Sequence, residues 1–334
     1  MNQSDPASTL MQMAGGYCLP RCLHVVADLG VADALKETPR TASEIASLIG
    51  ANPDSLSRVL RLLAAHGVFT VQDDKFNHSA ASRLLRTDHP QSMRAFVRMF
   101  GLRSNWAIFA ELEHSVRTGH AAAEKVLPAG FWGHLSQHPA DAAIFNEAMS
   151  AKAQAHVARI VASYDFSAFG RIGDIGGGRG HLLMEVLQSA PSAQGVLFDL
   201  PHVVRENASV ESTRLTLQGG NFFEDALPEC DAYLLMEVIH DWGDDESVAI
   251  LGAIRRAARD NARLLLIEQI VPEDPGPHWT KLLDIHMLAF FAARQRTRQE
   301  YESLLRMAGF SLKREIDTGA HISILEAQVT RDHD

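Results

Sequence analysis

Ten residues, Arg171-Ile-Gly-Asp-Ile-Gly-Gly-Gly-Arg-Gly180, carry an apolar strand into a glycine loop, which runs on into the apolar stretch Leu182 to Leu187. Glycines at Gly176, Gly177, Gly178 and Gly180 permit positive φ angles and remove the Cβ atoms that would hold a small molecule off the main chain. The pattern suits a nucleotide-like ligand. It does not suit a nicotinamide dinucleotide, because the third glycine of G-x-G-x-x-G, counted from Gly176 and Gly178, falls on His181. Asp199 ends the next strand-like run 23 positions beyond Gly176, where a carboxylate can accept both hydroxyls of an adenosine ribose. Further on, Glu237-Val-Ile-His-Asp-Trp242 leaves another strand, and Glu268 closes the one after it. A histidine sharing the crevice with the glycine loop can serve as a base. It then needs a fixed tautomer and a counter-charge once protonated, and Glu268 and Asp241 are the carboxylates available.

These residues must be held by strands. Arg171–Ile175, Gly195–Leu200, Leu215–Gln218, Ala232–Val238 and Arg263–Gln269 read as strands, most of them followed by a helical stretch such as Asp245–Arg259. The economical fold is an α/β doubly wound parallel sheet with ligands at the carboxyl ends of the strands. Ahead of it, Val25, Val26, Leu29, Val31 and Leu35 recur at helical spacing with a break at Gly30, and Thr41-Ala-Ser-Glu44 reads as a capping box. Pro53-Asp54 opens a helix with the apolar face Leu56, Val59, Leu60 and Leu63, and the runs 68–71 and 75–78 form a hairpin about Asp73-Asp74. Helices followed by a hairpin suggest a winged helix. Between the two parts, residues 96–164 are mostly helical and dense in apolar side chains, among them Trp106, Phe109, Phe131, Trp132, Phe145 and Met149. A helical layer beside a ligand sheet is the usual wall of an apolar pocket, and Phe145 and Met149, one turn apart, are the best candidates to face it. With His286, Phe290 and Phe291 they predict a flat apolar or aromatic pocket. The expected domains are 1–92, winged-helix-like; 93–165, helical linker and pocket wall; and 166–334, the ligand-binding sheet.

Composition narrows the partners. At 334 residues and 46% hydrophobic the chain can bury more than one core. Its 31 basic and 41 acidic side chains leave a charge of −10, which opposes binding to nucleic acid. A DNA-binding regulator using the helix 53–65 would have only Arg58 and Arg61 as basic contacts, beside Asp54, so the winged helix is read as a dimerisation element of a homodimer. Three cysteines, Cys18, Cys22 and Cys230, make no even framework, and Cys18-x3-Cys22 lacks the second pair of a tetrahedral metal site. Reduced thiols, no secretory signal and no apolar run of about eighteen residues predict a cytoplasmic protein without a membrane span. No metal is expected, since no tight carboxylate cluster is visible.

Taken in order and spacing, Asp174-Ile-Gly-Gly-Gly-Arg-Gly180, Phe198-Asp-Leu-Pro-His202, Gly219-Gly-Asn-Phe222 and His240-Asp-Trp242 resemble the S-adenosylmethionine-dependent O-methyltransferases of the plant caffeate type and their bacterial relatives in secondary metabolism, the phenazine and anthracycline tailoring enzymes. The resemblance covers nearly the whole chain and extends to Phe131-Trp132, Phe145-Asn146, Met149, Arg296-Thr297 and Gly309-Phe310. It implies a class I methyltransferase fold with S-adenosylmethionine as cofactor and S-adenosylhomocysteine as product. Asp174 and the loop Gly176–Gly178 would then lie at the methionine part, Asp199 at the ribose, and Asn221 and Phe222 at the adenine; Leu200 would also bind the cofactor, as would Glu237, at a position that is lysine in the plant enzymes. His240 would be the base and Glu268 its supporting acid. Two residues depart from the family: Asn221 stands for an aspartate, and Gln295 for a second glutamate beside the histidine, for which Asp241 or Asp284 are the possible replacements.

The resemblance implies methyl transfer from the sulfonium to a hydroxyl of a small aromatic acceptor. A phenol of pKa ~10 and a histidine of ~6.5 differ by about 3.5 units, roughly 5 kcal/mol for full proton transfer. Removal of the proton during attack avoids meeting that whole cost. Transfer to a ring nitrogen, or a relative that binds the same cofactor for hydroxylation or decarboxylation, are the alternatives.

Overall fold

The computed structural model describes residues 5–319 and 321–330, and the chain divides into two compact units. The first comprises Met1–Ala107 and Trp132–Lys152, the second Ile108–Phe131 and Ala153–Asp334. Residues 93–165 contribute to both.

In the first unit Gly30, at φ 66°, separates the helices Cys18–Asp28 and Val31–Leu35. Thr41 and Glu44 form the expected capping box at the start of the helix Ala42–Ile49. Asn52 caps the helix Pro53–Ala65, whose Leu56, Leu60 and Leu63 are buried; each such side chain contributes roughly 1.5–3 kcal/mol. Strands β1 (Arg40–Thr41), β2 (Phe69–Gln72) and β3 (Lys75–His78) form an antiparallel sheet in the order β1-β3-β2. Asp73 and Asp74 at φ 48° and 56° make the tight turn between β2 and β3. β1 was not legible in the sequence, being two residues long. The helix Pro6–Gly15 has no buried residue at all.

The second unit is a seven-stranded sheet of β4 (Arg171–Ile175), β5 (Gln194–Asp199), β6 (Leu215–Gly219), β7 (Ala232–Met236), β8 (Arg263–Glu268), β9 (Phe310–Asp317) and β10 (Ser323–Val329). Its order is β6-β5-β4-β7-β8-β10-β9. The first five strands are parallel, while β10 runs antiparallel to β8 and β9. The sheet is therefore mixed, where wholly parallel strands were expected. Alternate residues feed two apolar layers: Tyr233, Leu235, Leu264 and Leu266 face one, Leu234, Leu265, Ile267 and Ile324 the other. The strand order reverses between β4 and β7, the switch point where a crevice opens beyond the strand ends.

Candidate active site

Three strand ends build the site. Beyond β4 the chain turns through Gly176 and Gly178, both in the left-handed region at φ 69° and 56°. A Cβ at Gly177 would lie 2.5 Å from the Asp174 carboxylate and from Leu197. No side chain fits there. At the end of β5, Asp199 accepts from the Gly178 N–H through Oδ2 at 2.8 Å and from the Leu200 N–H through Oδ1 at 2.7 Å. These bonds fix the carboxylate and leave lone pairs for further donors. Leu200 itself is exposed, just ahead of the helix Pro201–Glu206.

Asp174 is buried beneath the loop, and its Oδ1 has no hydrogen-bond partner among the described residues. Burial, and then the charge of Asp199, push its pKa up to about 7, against the pull of the Leu183 N–H. The carboxylates of Asp174 and Asp199 disfavour a pyrophosphate and favour a cationic ligand, and the main chain stripped of Cβ atoms lets that ligand approach closely. S-adenosylmethionine, with its sulfonium and ammonium groups, fits that donor set.

β7 stops at Met236, two residues earlier than expected, because Glu237 takes φ 54°, outside the range of a strand. The Glu237 Oε1 accepts from Gln269 Nε2 at 2.7 Å. Asn221 uses its side-chain oxygen to accept from the Phe223 N–H at 3.1 Å, while its own N–H donates to Asp225 at 2.7 Å. Phe222 packs edge-on against Trp242, with ring centroids 5.8 Å apart.

His240 sits in a single 3₁₀ turn, Ile239–Asp241, and is buried. Glu268, at the end of β8 and 0% exposed, grips the turn with both oxygens: Oε1 accepts from the Ile239 N–H at 2.9 Å and Oε2 pairs with His240 Nδ1 at 2.8 Å. With Nδ1 carrying the proton to Glu268, Nε2 is the basic nitrogen. Asp241 Oδ1 lies 3.4 Å from it. Burial alone would lower the histidine's pKa, but Glu268, Asp241 and Glu237 outweigh it and push the pKa up to about 9. Asp284 has a different task, accepting from the Gln295 backbone N–H at 2.8 Å. Gln295 is buried, and neither polar atom of its side chain has a partner among the described residues.

The predicted pocket residues divide between the units. In the second, Phe109 meets His286 at 4.6 Å between ring centroids, and Phe131 meets Phe290 at 5.2 Å and Phe291 at 5.6 Å. Burial pushes the pKa of His286 down to about 4, so the ring is neutral. In the first unit, Trp106 packs against His24 beneath the Arg21 guanidinium, and Phe145 against Trp132. Met149 joins Ala95, Met99 and Ala148.

Sequence reasoning gave no role to Gln269, Asp244, Arg296 or Tyr301. Arg296 and Tyr301 are fully buried beside the His240 turn, and Tyr301 stands next to Glu268, whose charge adds to burial in raising the phenol's pKa. For Arg296 the sequence signals were its place in the resemblance and its position ahead of the threonine that opens a capping box at Thr297–Glu300.

A family profile described as an O-methyltransferase domain matches residues 109–311, and one described as an O-methyltransferase dimerisation domain matches residues 11–88. The chain is 38% identical over 329 residues to the phenazine O-methyltransferase PhzM of Lysobacter antibioticus, covering 96% of each. It is 37% identical over 301 residues to the 8-amino-8-demethylriboflavin N,N-dimethyltransferase of Streptomyces davaonensis, covering 87% of this chain and 86% of that protein. Among solved structures, CalO1, a methyltransferase in calicheamicin biosynthesis in its SAH-bound form, matches with a TM-score of 0.90 at 32% identity, over 99% of this chain and 100% of that one.

Proposed function

The chain belongs to the S-adenosylmethionine-dependent O-methyltransferases with a dimerisation domain, and on that premise we propose that it methylates a hydroxyl of a small aromatic metabolite with His240 as the general base. Bound S-adenosylmethionine supplies the activated methyl group. Asp199 takes the ribose hydroxyls, Asp174 and Glu237 favour the cationic end, and Asn221 and Phe222 border the adenine. His240 removes the acceptor's proton through Nε2, while Glu268 holds the opposite nitrogen.

The observation that carries this reading is the His240–Glu268 pair, at 2.8 Å and wholly buried on the acid's side. A base raised to about 9 lies only about one unit below a phenol, so the mismatch falls from roughly 5 to roughly 1.4 kcal/mol. An amine acceptor attacks through a lone pair it already has, which leaves the dyad no proton to remove beforehand. The fused rings named for the phenazine and flavin relatives support an aromatic acceptor, as do Phe109, Phe131, His286 and Phe290.

Within the second unit, Phe109, Phe131, His286 and Phe290 are proposed as contacts of the acceptor. A homodimer is proposed as the working form. Incubation with labelled S-adenosylmethionine and a panel of phenolic, quinoline and phenazine acceptors, followed by mass analysis, is expected to give label on oxygen. Label on nitrogen alone across the panel would overturn the reading.

A further inference from the structure

The turn that presents His240 is barely self-supporting. Its own backbone bonds are two, Asp241 N–H to Val238 and Trp242 N–H to Ile239, both at 3.2 Å. One further side chain spans the turn through its carbonyls. The Arg296 guanidinium, 0% exposed, donates from Nη1 to the carbonyl of Ile239 at 3.1 Å and from Nη2 to the carbonyl of Trp242 at 2.9 Å. Nη2 and Nε also donate to Asp244 Oδ1 at 2.7 and 3.1 Å, at the first position of the helix Asp244–Ala257.

The guanidinium is itself held. The Arg296 carbonyl accepts from the Val271 N–H at 3.0 Å, and Thr297, its neighbour, caps the helix Arg298–Met307. A buried cation left without such partners would be strongly destabilising, so the two carbonyls and Asp244 are conditions of its being there. Only a planar fork reaches both carbonyls at once; an ammonium is a point charge on a flexible stem.

We propose that Arg296 is a positioning residue for methyl transfer, bracing the carbonyls on either side of His240 so that the imidazole keeps one orientation. Glu268 fixes the turn through the Ile239 N–H and His240 Nδ1, and Arg296 fixes it through the carbonyls of Ile239 and Trp242. The role rests on the reading of His240 as the base. Arg296 acts through that residue and makes no contact with the reacting atoms.

The test uses Arg296→Lys, Asp244→Asn and His240→Ala in the full chain, each assayed for kcat, acceptor KM, S-adenosylmethionine affinity by calorimetry, and the pH dependence of kcat. Arg296→Lys is expected to lower kcat by about tenfold to a hundredfold, the scale of losing an oriented catalytic group. Cofactor affinity should hold within about threefold on the same argument, since Asp199 and the glycine loop are untouched. The acidic limb of the pH profile should move, because a loosened imidazole loses part of its bond to Glu268. Asp244→Asn leaves the arginine and both carbonyls in place and should give a smaller loss of kcat in the same direction. It keeps the proposal testable if Arg296→Lys fails to fold. If kcat and the pH profile are unchanged in the lysine variant, or if kcat and cofactor affinity fall together, Arg296 is not a positioning residue. If His240→Ala transfers methyl groups at the wild-type rate, the reading of the base fails instead.

Discussion

At the scale of single residues, the site turns on a histidine between carboxylates. Its pKa, raised to about 9 by charges that outweigh burial, means that kcat should climb with pH as the imidazole gives up its proton. Glu268→Gln removes the largest of those charges and should bring the limb down towards or below the ordinary ~6.5. The plateau should fall by about tenfold to a hundredfold, as the tautomer is no longer held. A limb that stays in place in this variant would mean that His240 is not the titrating base. The same shift acts on stability: a histidine raised on folding stabilises fully below ~6.5, and the contribution is lost as pH rises through about 9. The melting temperature should decline over that window in the wild type and less so in the glutamine variant. His240, Asp199 and Glu268 could be picked out in the sequence because each stands at or just beyond the carboxyl end of a strand. Arg296 entered only as part of the resemblance, with no role, since its partners lie 52 to 57 positions away and nothing local marks them.

At the scale of elements, the glycine loop is fixed by what lies beneath it. Gly177→Ala would force a methyl group to within 2.5 Å of the side chains of Asp174 and Leu197, so those side chains or the loop must shift. Cofactor affinity should drop by at least about tenfold, with the melting temperature of the free protein lowered by overpacking. Unchanged calorimetric affinity would show that the loop is not against the ligand. The parallel strands were legible as short apolar runs, as expected for strands buried on both faces. β9 was not: Lys313, Arg314 and Glu315 interrupt it, and it lies at the edge of the sheet, where polar residues are tolerated. The early end of β7 also escaped the pattern, because a left-handed glutamate leaves no trace in hydropathy.

At the scale of the whole molecule, the helix Pro6–Gly15 exposes Leu10, Met11 and Met13 by 68–75%, a row of apolar side chains with no place in a lone chain's core. A second copy should cover them. Leu10→Lys combined with Met13→Lys is expected to shift sedimentation from dimer towards monomer, and an unchanged dimer would place the interface elsewhere. The overall charge of −10 has a local counterpart in the carboxylates around His240, with a consequence for turnover. Methyl transfer removes one positive charge from the crevice, and on the proposed reading His240, by taking the acceptor's proton, puts one back. Glu268, Asp241 and Glu237 therefore face the same total charge before and after the reaction. Their electrostatic cost does not rise during transfer; on the proposed reading the imidazolium must release its proton before His240 can act as a base again. Resetting the enzyme is thus a deprotonation, which ties the pace of repeated cycles to the buffer around the protein.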